Sequence, residues 1–325
     1  MDVRCFLSVV LLVSASSIAN VANVSAQTYP ARPVRFVVPY PPGGATDIIA
    51  RTLGQKLSDA LKQQIVVDNR GGAGQIIGTD IVAKSAPNGY TILLASVTHS
   101  INPTLLSKLP YDSVKDFAAI TLIGNGPNVL VVHPSIAARS MAEFVKLLQA
   151  NPGKYNYASS GNGSGGHLAA ELFKGMAEVN INHIPYKGNG PATVDVLAGQ
   201  VPIMFTSTAP MLPHIRSGKL RGLATTGASR SSATPDIPTI AESGYPGYEA
   251  SLWYGILAAA GTPPAMLNVL NTHFVNALKA PDVRERFTAL GIDVVGSTPE
   301  FLDQHLRAEL AKWEKVIKTA KIRTE

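Results

Sequence analysis

The stretch YNYASSGNGSGGHL, residues 155–168, leads from a strand-like run through glycine and serine into a helical pattern. Inside it, Gly161-x-Gly163-x-x-Gly166 has the spacing of a dinucleotide-binding fingerprint. Such a loop suits other anions as well, because glycine lets the backbone approach closely and a helix start presents unpaired N–H groups with a partial positive charge. The stretch therefore predicts a strand, an anion-binding loop and a helix, and it leaves open which anion is bound.

The order of strand, glycine loop, helix and strand occurs twice, over residues 34–69 and 154–186. Helices and strands alternate through most of the chain, which indicates an α/β protein with largely parallel sheets. We therefore expect two similar lobes, each built on its own sheet. Apolar helix faces near the C-terminus would cover the first lobe, so the chain should cross between the lobes twice, near 124–128 and near 249–253.

Two strands are expected to run on into polar loops, YTILLAS (90–96) into VTHSINP and VPIMF (201–205) into TSTAP. The helix after the glycine loop of the second copy carries Leu168, Leu172 and Met176, four residues apart. This spacing predicts that the three side chains form the buried face of that helix.

The N-terminus has the order of a secretory signal peptide: a charged stub ending at Arg4, an apolar run, and small residues up to Ala26. We predict that residues 1–26 are a signal peptide cleaved after Ala26. The apolar run is shorter than the roughly 20 residues of a membrane span. The one cysteine, Cys5, lies in this segment, so the mature chain is expected to be stabilised by burial without disulfides.

Basic residues are in excess, with a formal net charge of +6 and a pI near 9.3, but they are scattered along the chain. There is no cluster of four or more and no interleaving of aromatic with basic residues, so no nucleic-acid partner is predicted. A diffuse positive charge mildly favours small anionic ligands.

The nucleotide interpretation of the glycine loop meets two obstacles. A dinucleotide site has an acidic residue at the end of its second strand, about 20 residues on, to bind the ribose. Here that strand, INHIPY, is followed by Lys187, with no Asp or Glu close by. The phosphate-binding pattern of nucleotide triphosphatases also fails, because His167 and Leu168 follow Gly166 where Lys and Ser or Thr are needed. We predict no nucleotide and no other cofactor.

Catalytic motifs are missing from the chain as well. A nucleophile elbow needs Gly-x-Ser-x-Gly, but Ser164 directly follows Gly163. The seven histidines include no pair at metal-ligand spacing and no HExxH. We therefore predict no metal, no catalytic residue and no enzymatic activity, although a triad assembled from distant residues stays open.

Five segments of the chain, in the same order, resemble a known family: PYPPGGATDIIAR, VDNRGGAGQIIGTD, NYASSGNGSGGHLAAELF, HIPYKGNGPATVDVLAGQVPIMF and PDIPTIAESGYPGYEASLWYGILAAAGTP. They look like the Bug family, the TctC-like extracytoplasmic receptors of tripartite tricarboxylate transporters. The resemblance runs from about residue 28 to the C-terminus. It implies a type II-like, two-lobed periplasmic-binding-protein fold with two crossover strands and a ligand cleft between the lobes.

The resemblance also implies the function: the protein would close on a small organic carboxylate in the periplasm and deliver it to a two-component membrane permease. We expect it to act as a monomer. The first lobe would comprise 27–126 plus 250–325, and the second 127–249. Two other functions stay open, a ligand-sensing receptor that serves a signalling partner and an exported enzyme acting on a small acid.

In the family, ligand carboxylates are held largely by backbone amides, hydroxyls and ordered waters. Carried over to this chain, the resemblance assigns the ligand-binding residues to the two glycine loops and to two further loops that line the remaining wall. They are Tyr40, Gly43, Gly44, Thr46 and Asp47 in the first lobe, Ser160, Gly163, Ser164 and Gly165 in the second, and Ser96, Thr98, His99 and Ser207 on the remaining wall.

Four residues of the loops carry further expectations about ligand specificity or local folding. Asp47 is the one carboxylate in the four cleft loops, so a non-amino mono- or dicarboxylate is favoured over an amino acid. Asp47 alternatively caps its own helix, and His99 alternatively has a local hydrogen-bond partner. Gln75 and Asp68 stand where the family usually has Gly and Glu, and we expect both to affect local folding more than specificity.

Overall fold

The computed structural model describes residues 29–186 and 188–322. The predicted signal peptide and its cleavage after Ala26 lie outside these residues. Of the helices within the described ranges, none combines the length and the apolar character that a bilayer span needs.

The strands are β1 (Val34–Val38), β2 (Ile65–Asn69), β3 (Thr91–Ser96), β4 (Phe117–Gly126), β5 (Asn128–Val132), β6 (Asn156–Ser159), β7 (Asn182–Pro185), β8 (Ile203–Ser207), β9 (Arg221–Thr225), β10 (Leu252–Ala259) and β11 (Asp293–Val294). The helices are α1 (Ala45–Leu61), α2 (Ile76–Ala83), α3 (Thr98–Leu105), α4 (Met141–Gln149), α5 (Gly165–Ala177), α6 (Asn189–Leu197), α7 (Thr208–Arg216), α8 (Pro264–Lys279), α9 (Pro281–Ala289) and α10 (Pro299–Ala320), and a 3₁₀ turn spans Ala73–Gln75.

The strands form two sheets that follow one plan. The first has the order β11-β4-β10-β3-β1-β2 and the second the order β7-β6-β8-β5-β9. In each, the first strand of the repeat lies between the second and third and is parallel to both, β1 in one sheet and β6 in the other. One antiparallel strand then separates the third strand from the fourth, β10 in the first sheet and β5 in the second. This confirms the expected α/β architecture of two sheets in two lobes. The sheets are mixed rather than largely parallel as predicted, because β10 and β5, which follow the crossings, run antiparallel to both of their neighbours.

Both inserted strands directly follow a point at which the chain passes from one sheet to the other. Strand β4 leads through Pro127 into β5, and the segment before β10 returns the chain. Thr226 ties the two passages together. Its N–H donates to Asn128 O and its carbonyl accepts from Ala250 N, both at 2.9 Å, while its hydroxyl bonds Asn128 N at 2.8 Å and Ala250 O at 3.0 Å. The crossover strands are thus joined where they leave the lobes; the exact lobe boundaries stay a prediction.

The C-terminal helix links the lobes a third time, which the sequence analysis did not foresee. Helix α10 packs against β4 and α3 of the first lobe and also against α5 of the second. It buries Leu302, Leu306 and Trp313 in a hydrophobic core that continues from the first sheet to the second.

The buried face of α5 differs from the predicted one. Leu168 is buried, but Leu172 is only half-buried and Met176 is exposed, whereas Phe173 and Ala177 lie in the core. The reason is geometric: a spacing of four residues drifts around the helix by about 40° per step, so the buried face needs alternating steps of three and four.

Two segments predicted as polar loops are helices. VTHSINP contributes to α3 and TSTAP to α7, and the short strands β9 and β11 were also not predicted. These helices carry polar first turns and little apolar periodicity, so tertiary packing rather than local pattern stabilises them.

Phe173 provides a test of the second lobe's core, because its ring is fully buried and packs against Phe144 and Phe205 with centroids 6.2 and 5.8 Å apart. We expect Phe173→Ala to lower the free energy of unfolding by about 3–5 kcal/mol through lost burial and a residual cavity. Urea unfolding followed by circular dichroism measures this. The matched control is Phe301→Ala on the exposed face of α10, where the ring is 50% exposed and the change should stay within about 0.5 kcal/mol. Equal effects of the two variants would contradict this assignment of the core.

Candidate functional site

A cavity of about 770 Å³ lies between the lobes and is partly open to solvent. Its walls come from the segments that follow β1, β2, β3, β6, β7 and β8, and from the crossover strands β5 and β10. In open α/β sheets the loops at the carboxyl ends of parallel strands form such crevices. The two sheets therefore place their equivalent ends on opposite sides of one cleft.

Five of the described helices begin at this cavity. Residues at the starts of α1, α3, α5, α6 and α7 contribute to its wall, among them Ala45, Thr98, Gly165, Asn189 and Ser207. The first N–H groups of a helix lack intrahelical partners, and the helix dipole places a partial positive charge there. Both lobes thus direct backbone donors and positive potential into the same space.

The described residues that line the cavity include no Lys, Arg, Asp or Glu. Polar lining comes instead from hydroxyls and from five side-chain amides, those of Gln75, Asn102, Asn128, Asn162 and Asn189. The hydroxyl of Thr206 on this wall is buried and has no protein partner among the described residues. An anion in the cleft would therefore be held by neutral donors and helix starts.

One side of the cavity carries a chain of hydrogen bonds. Tyr40 Oη and Ser96 Oγ lie 2.6 Å apart, and Ser96 donates to Gln75 Oε1 at 3.3 Å. Burial raises the pKa of Tyr40, so its phenol stays protonated at neutral pH. Gln75 was expected to matter for local folding, but its side chain belongs to this network and lines the cavity. Its amide therefore lies at the cavity wall, in addition to any part it has in folding the loop.

Glycines let parts of the structure approach the loop of the second lobe closely. A Cβ atom at Gly163 would lie 2.2 Å from Leu105 Cδ2, so the loop contacts a helix of the opposite lobe at this position. At Gly166 it would lie 2.1 Å from the carbonyl oxygen of Phe205. These two positions of the fingerprint spacing thus serve packing of the loop.

Most residues assigned to the site from the sequence lie around the cavity. Ten line it: Tyr40, Gly44, Thr46, Ser96, Thr98, Ser160, Gly163, Ser164, Gly165 and Ser207. Gly43, Asp47 and His99 do not belong to the lining.

The carboxylate of Asp47 is turned onto its own helix start. It accepts from Gly43 N at 2.9 Å and from Arg51 Nε at 3.0 Å, and the residue is buried. The hydrogen bond from Arg51, together with that from Gly43, holds the pKa of Asp47 below its usual value in spite of burial. Asp47 thus holds the start of its own helix, which was the alternative to ligand binding.

His99 is enclosed by protein. Its Nε2 lies 2.9 Å from Ser113 O, and its ring stacks on Tyr111 and meets Phe117 edge-on. Burial lowers the pKa of His99 to about 4, so the ring is neutral at physiological pH. The sequence analysis gave a local hydrogen-bond partner as the alternative to ligand binding for His99, and Ser113 O is such a partner.

Sequence reasoning missed most of the apolar and amide lining. The additional wall includes Leu105, Asn128, Phe205, Leu252 and Tyr254. None of them belongs to a glycine loop, and they come together only through the crossing of the chain and the pairing of β10. The one sequence signal for them was the predicted crossing near 124–128 and 249–253.

A family model described as the tripartite tricarboxylate transporter family receptor matches residues 49–322. Protein BugT of Bordetella pertussis is 42% identical over 299 residues, which cover 91% of this chain and 92% of that protein.

Solved structures of similar proteins include two with acids bound. Rpa4515 of R. palustris, solved with adipate, has 35% sequence identity and a TM-score of 0.78, covering 91% of this chain and 99% of that one. MatC from Rhodopseudomonas palustris, solved with bound malate, has 32% identity and a TM-score of 0.74, covering 89% and 100%. The chain therefore belongs to the tripartite tricarboxylate transporter receptor family, as a Bug-type, TctC-like periplasmic solute-binding protein.

Proposed function

We propose that this protein captures a small organic carboxylate by closure of its two lobes and delivers it, as a monomer, to a two-component membrane permease. The observation that carries the proposal is the set of five helix starts, from both lobes, around a cavity whose described lining has no charged side chain. The transporter family to which the chain belongs supports the delivery step, and the periplasmic location agrees with the predicted signal peptide.

Backbone donors suffice for useful affinity. A hydrogen bond to a charged group contributes about 1.5–3 kcal/mol. Three or four such bonds, less the cost of ordering the ligand and the loops, reach the roughly 8 kcal/mol of micromolar binding. A receptor has to release its ligand to the permease, so binding by several modest contacts suits the proposed role.

The cavity's composition favours an organic acid over an inorganic anion. Leu105, Phe205 and Leu252 provide apolar surface beside the polar helix starts, and a ligand with a hydrocarbon body would cover it. An ammonium group would find no acidic partner, because the described lining has none and Asp47 is engaged by Gly43 and Arg51. We therefore favour a non-amino mono- or dicarboxylate. The adipate and malate of the two relatives are acids of this kind.

Closure would shield these contacts from water. The loop carrying Gly163 already touches Leu105 of the opposite lobe. The crossover strands, tied at Thr226, are the natural place for a bending motion. A bound acid would contact helix starts of both lobes and so favour the closed form, since it interacts with that state more strongly.

A thermal-shift screen of residues 27–325 tests the ligand class. We expect one or more small carboxylates, with adipate and malate among those tested, to raise the melting temperature in a concentration-dependent way. Matched amino acids, sulfate, phosphate and nucleotides should give little or no shift. Mass spectrometry of the recovered acid should find it unchanged. A response confined to nucleotides, or consumption of the acid, would contradict the proposal and favour an enzyme.

Gly44 offers a substitution that blocks the cleft without disturbing the fold. Its φ of −83° is open to any residue, and a Cβ atom there would meet nothing within 4 Å. We expect Gly44→Val to weaken binding of the acid found in the screen by at least about tenfold, or ~1.4 kcal/mol, by filling space beside the start of α1. Isothermal titration calorimetry measures the affinity.

The matched control is Gly175→Val, near the end of α5 and away from the cleft, where a Cβ atom also has nothing within 4 Å. It should bind as the wild type does. Melting temperatures of both variants should stay close to that of the wild type. Unchanged affinity in Gly44→Val would contradict the placement of the ligand at this helix start.

A further inference from the structure

In each glycine loop of the cleft, the glycine before the N-cap donates its N–H to a side chain of the helix that follows. Gly43 N donates to Asp47 Oδ2 at 2.9 Å, and Gly163 N donates to His167 Nδ1 at 3.0 Å. In both cases the acceptor lies four residues after the glycine. The two lobes thus use the same bond at equivalent places.

The equivalence extends to the backbone. Gly43 and Gly163 have φ of +91° and +70°, a region that favours glycine. Each immediately precedes the N-cap of its helix, Gly44 in α1 and Ser164 in α5, and each acceptor is the third residue of that helix. The bond therefore fixes the direction in which the loop enters the helix, and with it the orientation of the next N–H groups.

A second side chain contacts each of the two acceptors. Arg51 Nε donates to the same oxygen of Asp47 at 3.0 Å. The ring of His167 stacks on that of His183, with centroids 3.9 Å apart and planes 9° apart. His183 Nε2 lies 2.7 Å from Ser159 Oγ, and that hydroxyl also bonds Gly161 N and O at 3.1 Å. The stack thus connects two points of the same glycine loop.

The bond also occurs where there is no cleft. At the start of α4, Arg139 N donates to Glu143 Oε2 at 2.8 Å, and Glu143 is again the third residue of a helix whose N-cap, Ser140, accepts from Glu143 N. It is therefore a general way to fix a helix entry in this protein. Its effect at α1 and α5 depends on the place, because those two entries line the cavity.

We propose that Asp47 and His167 are paired positioning residues, which hold the glycine loops of the two lobes in the conformation that presents their free backbone donors to the cleft. This role rests on the proposed function, since it matters for binding only if the cleft takes an anion. Asp47, on this view, acts through Gly43 and has no contact with the ligand.

The two bonds differ in their response to acid. His167 accepts through Nδ1 only while that nitrogen carries no proton. Burial, with a smaller effect of Lys174, lowers the pKa of His167 to about 4. The other titratable groups around the stack are His183 and Tyr157 from neighbouring strands, and Glu171 on α5, which bonds Tyr157 and Lys174.

The pKa of His167 in the folded protein is below the ordinary value of 6.5. Neutral His167 therefore stabilises the fold fully above pH 6.5, and this contribution is lost as the pH falls through about 4. The bond from Gly163 is lost over the same pH range. Asp47 stays ionised to lower pH than an ordinary aspartate, so its bond persists further into acid.

Amide hydrogen exchange of Gly43 and Gly163, measured by NMR on residues 27–325 without added acid, tests the proposal. His167→Leu and Asp47→Ala remove the acceptors, and we expect exchange at Gly163 and Gly43, respectively, to be at least tenfold faster. His167→Asn supplies an amide oxygen in reach of Gly163 N, and Asp47→Asn keeps an oxygen in reach of Gly43 N, so in both variants exchange should return towards the wild-type rate. Glu143→Ala is the control at α4. It should accelerate amide exchange at Arg139 and leave the exchange rates of Gly43 and Gly163 unchanged.

The wild-type protein provides a second readout that needs no substitution. The amide proton shift of Gly163 should titrate with a midpoint near pH 4, and this titration should be absent in His167→Asn. The amide proton shift of Gly43 should not titrate with this midpoint. Unchanged exchange rates in His167→Leu and Asp47→Ala would overturn the proposal. So would an amide proton shift of Gly163 that does not change with pH in the wild type.

These measurements and the carboxylate screen fail independently. If no acid binds, the proposed function is wrong, while the exchange rates still decide whether the two residues hold the loops. If an acid binds but the exchange rates do not change, the function stands and the positioning role is wrong.

Discussion

The backbone N–H groups of a helix's first turn have no partner within the helix, and this constraint explains the site. Five helices begin at one cavity, and the described residues around it carry no charged side chain. Positive potential therefore comes from backbone that the fold holds in place, at no cost in side-chain entropy. An anion bound this way interacts with dipoles oriented before it arrives, which is the physical basis of the proposed carboxylate binding.

The arrangement of the strands follows from the same need. Each lobe has its parallel strands in the same order, and an antiparallel strand enters the interior of each sheet directly after the chain has crossed. The crossing places the carboxyl ends of the two sets of strands face to face. It also gives the lobes a common core and a shared hydrogen-bonded junction at Thr226. One topological feature thus creates the cleft, joins the lobes and defines where they can bend.

The lining of the cavity could be predicted from the sequence where local chemistry decides it. The glycine loops, the hydroxyls and the helix starts that follow them are signals within a few residues of one another, and ten of the assigned residues line the cavity. Asp47 and His99 also belong to such segments, but the direction of a side chain depends on what surrounds it. Asp47 turns to Gly43 and Arg51, and His99 is enclosed by Ser113, Tyr111 and Phe117. Gln75 shows the opposite case, a loop residue whose amide reaches the cavity wall.

By itself the sequence determined the alternation of strands and helices, the repeat, the two crossings and the location of the glycine loops. It did so because periodicity and turn chemistry act over short stretches of chain. Only the tertiary structure decided that α3 and α7 are helices with their starts at the cavity, and that Leu105, Asn128 and Leu252 complete its wall. Those outcomes depend on residues far apart in sequence, which meet through sheet pairing and the packing of one lobe against the other.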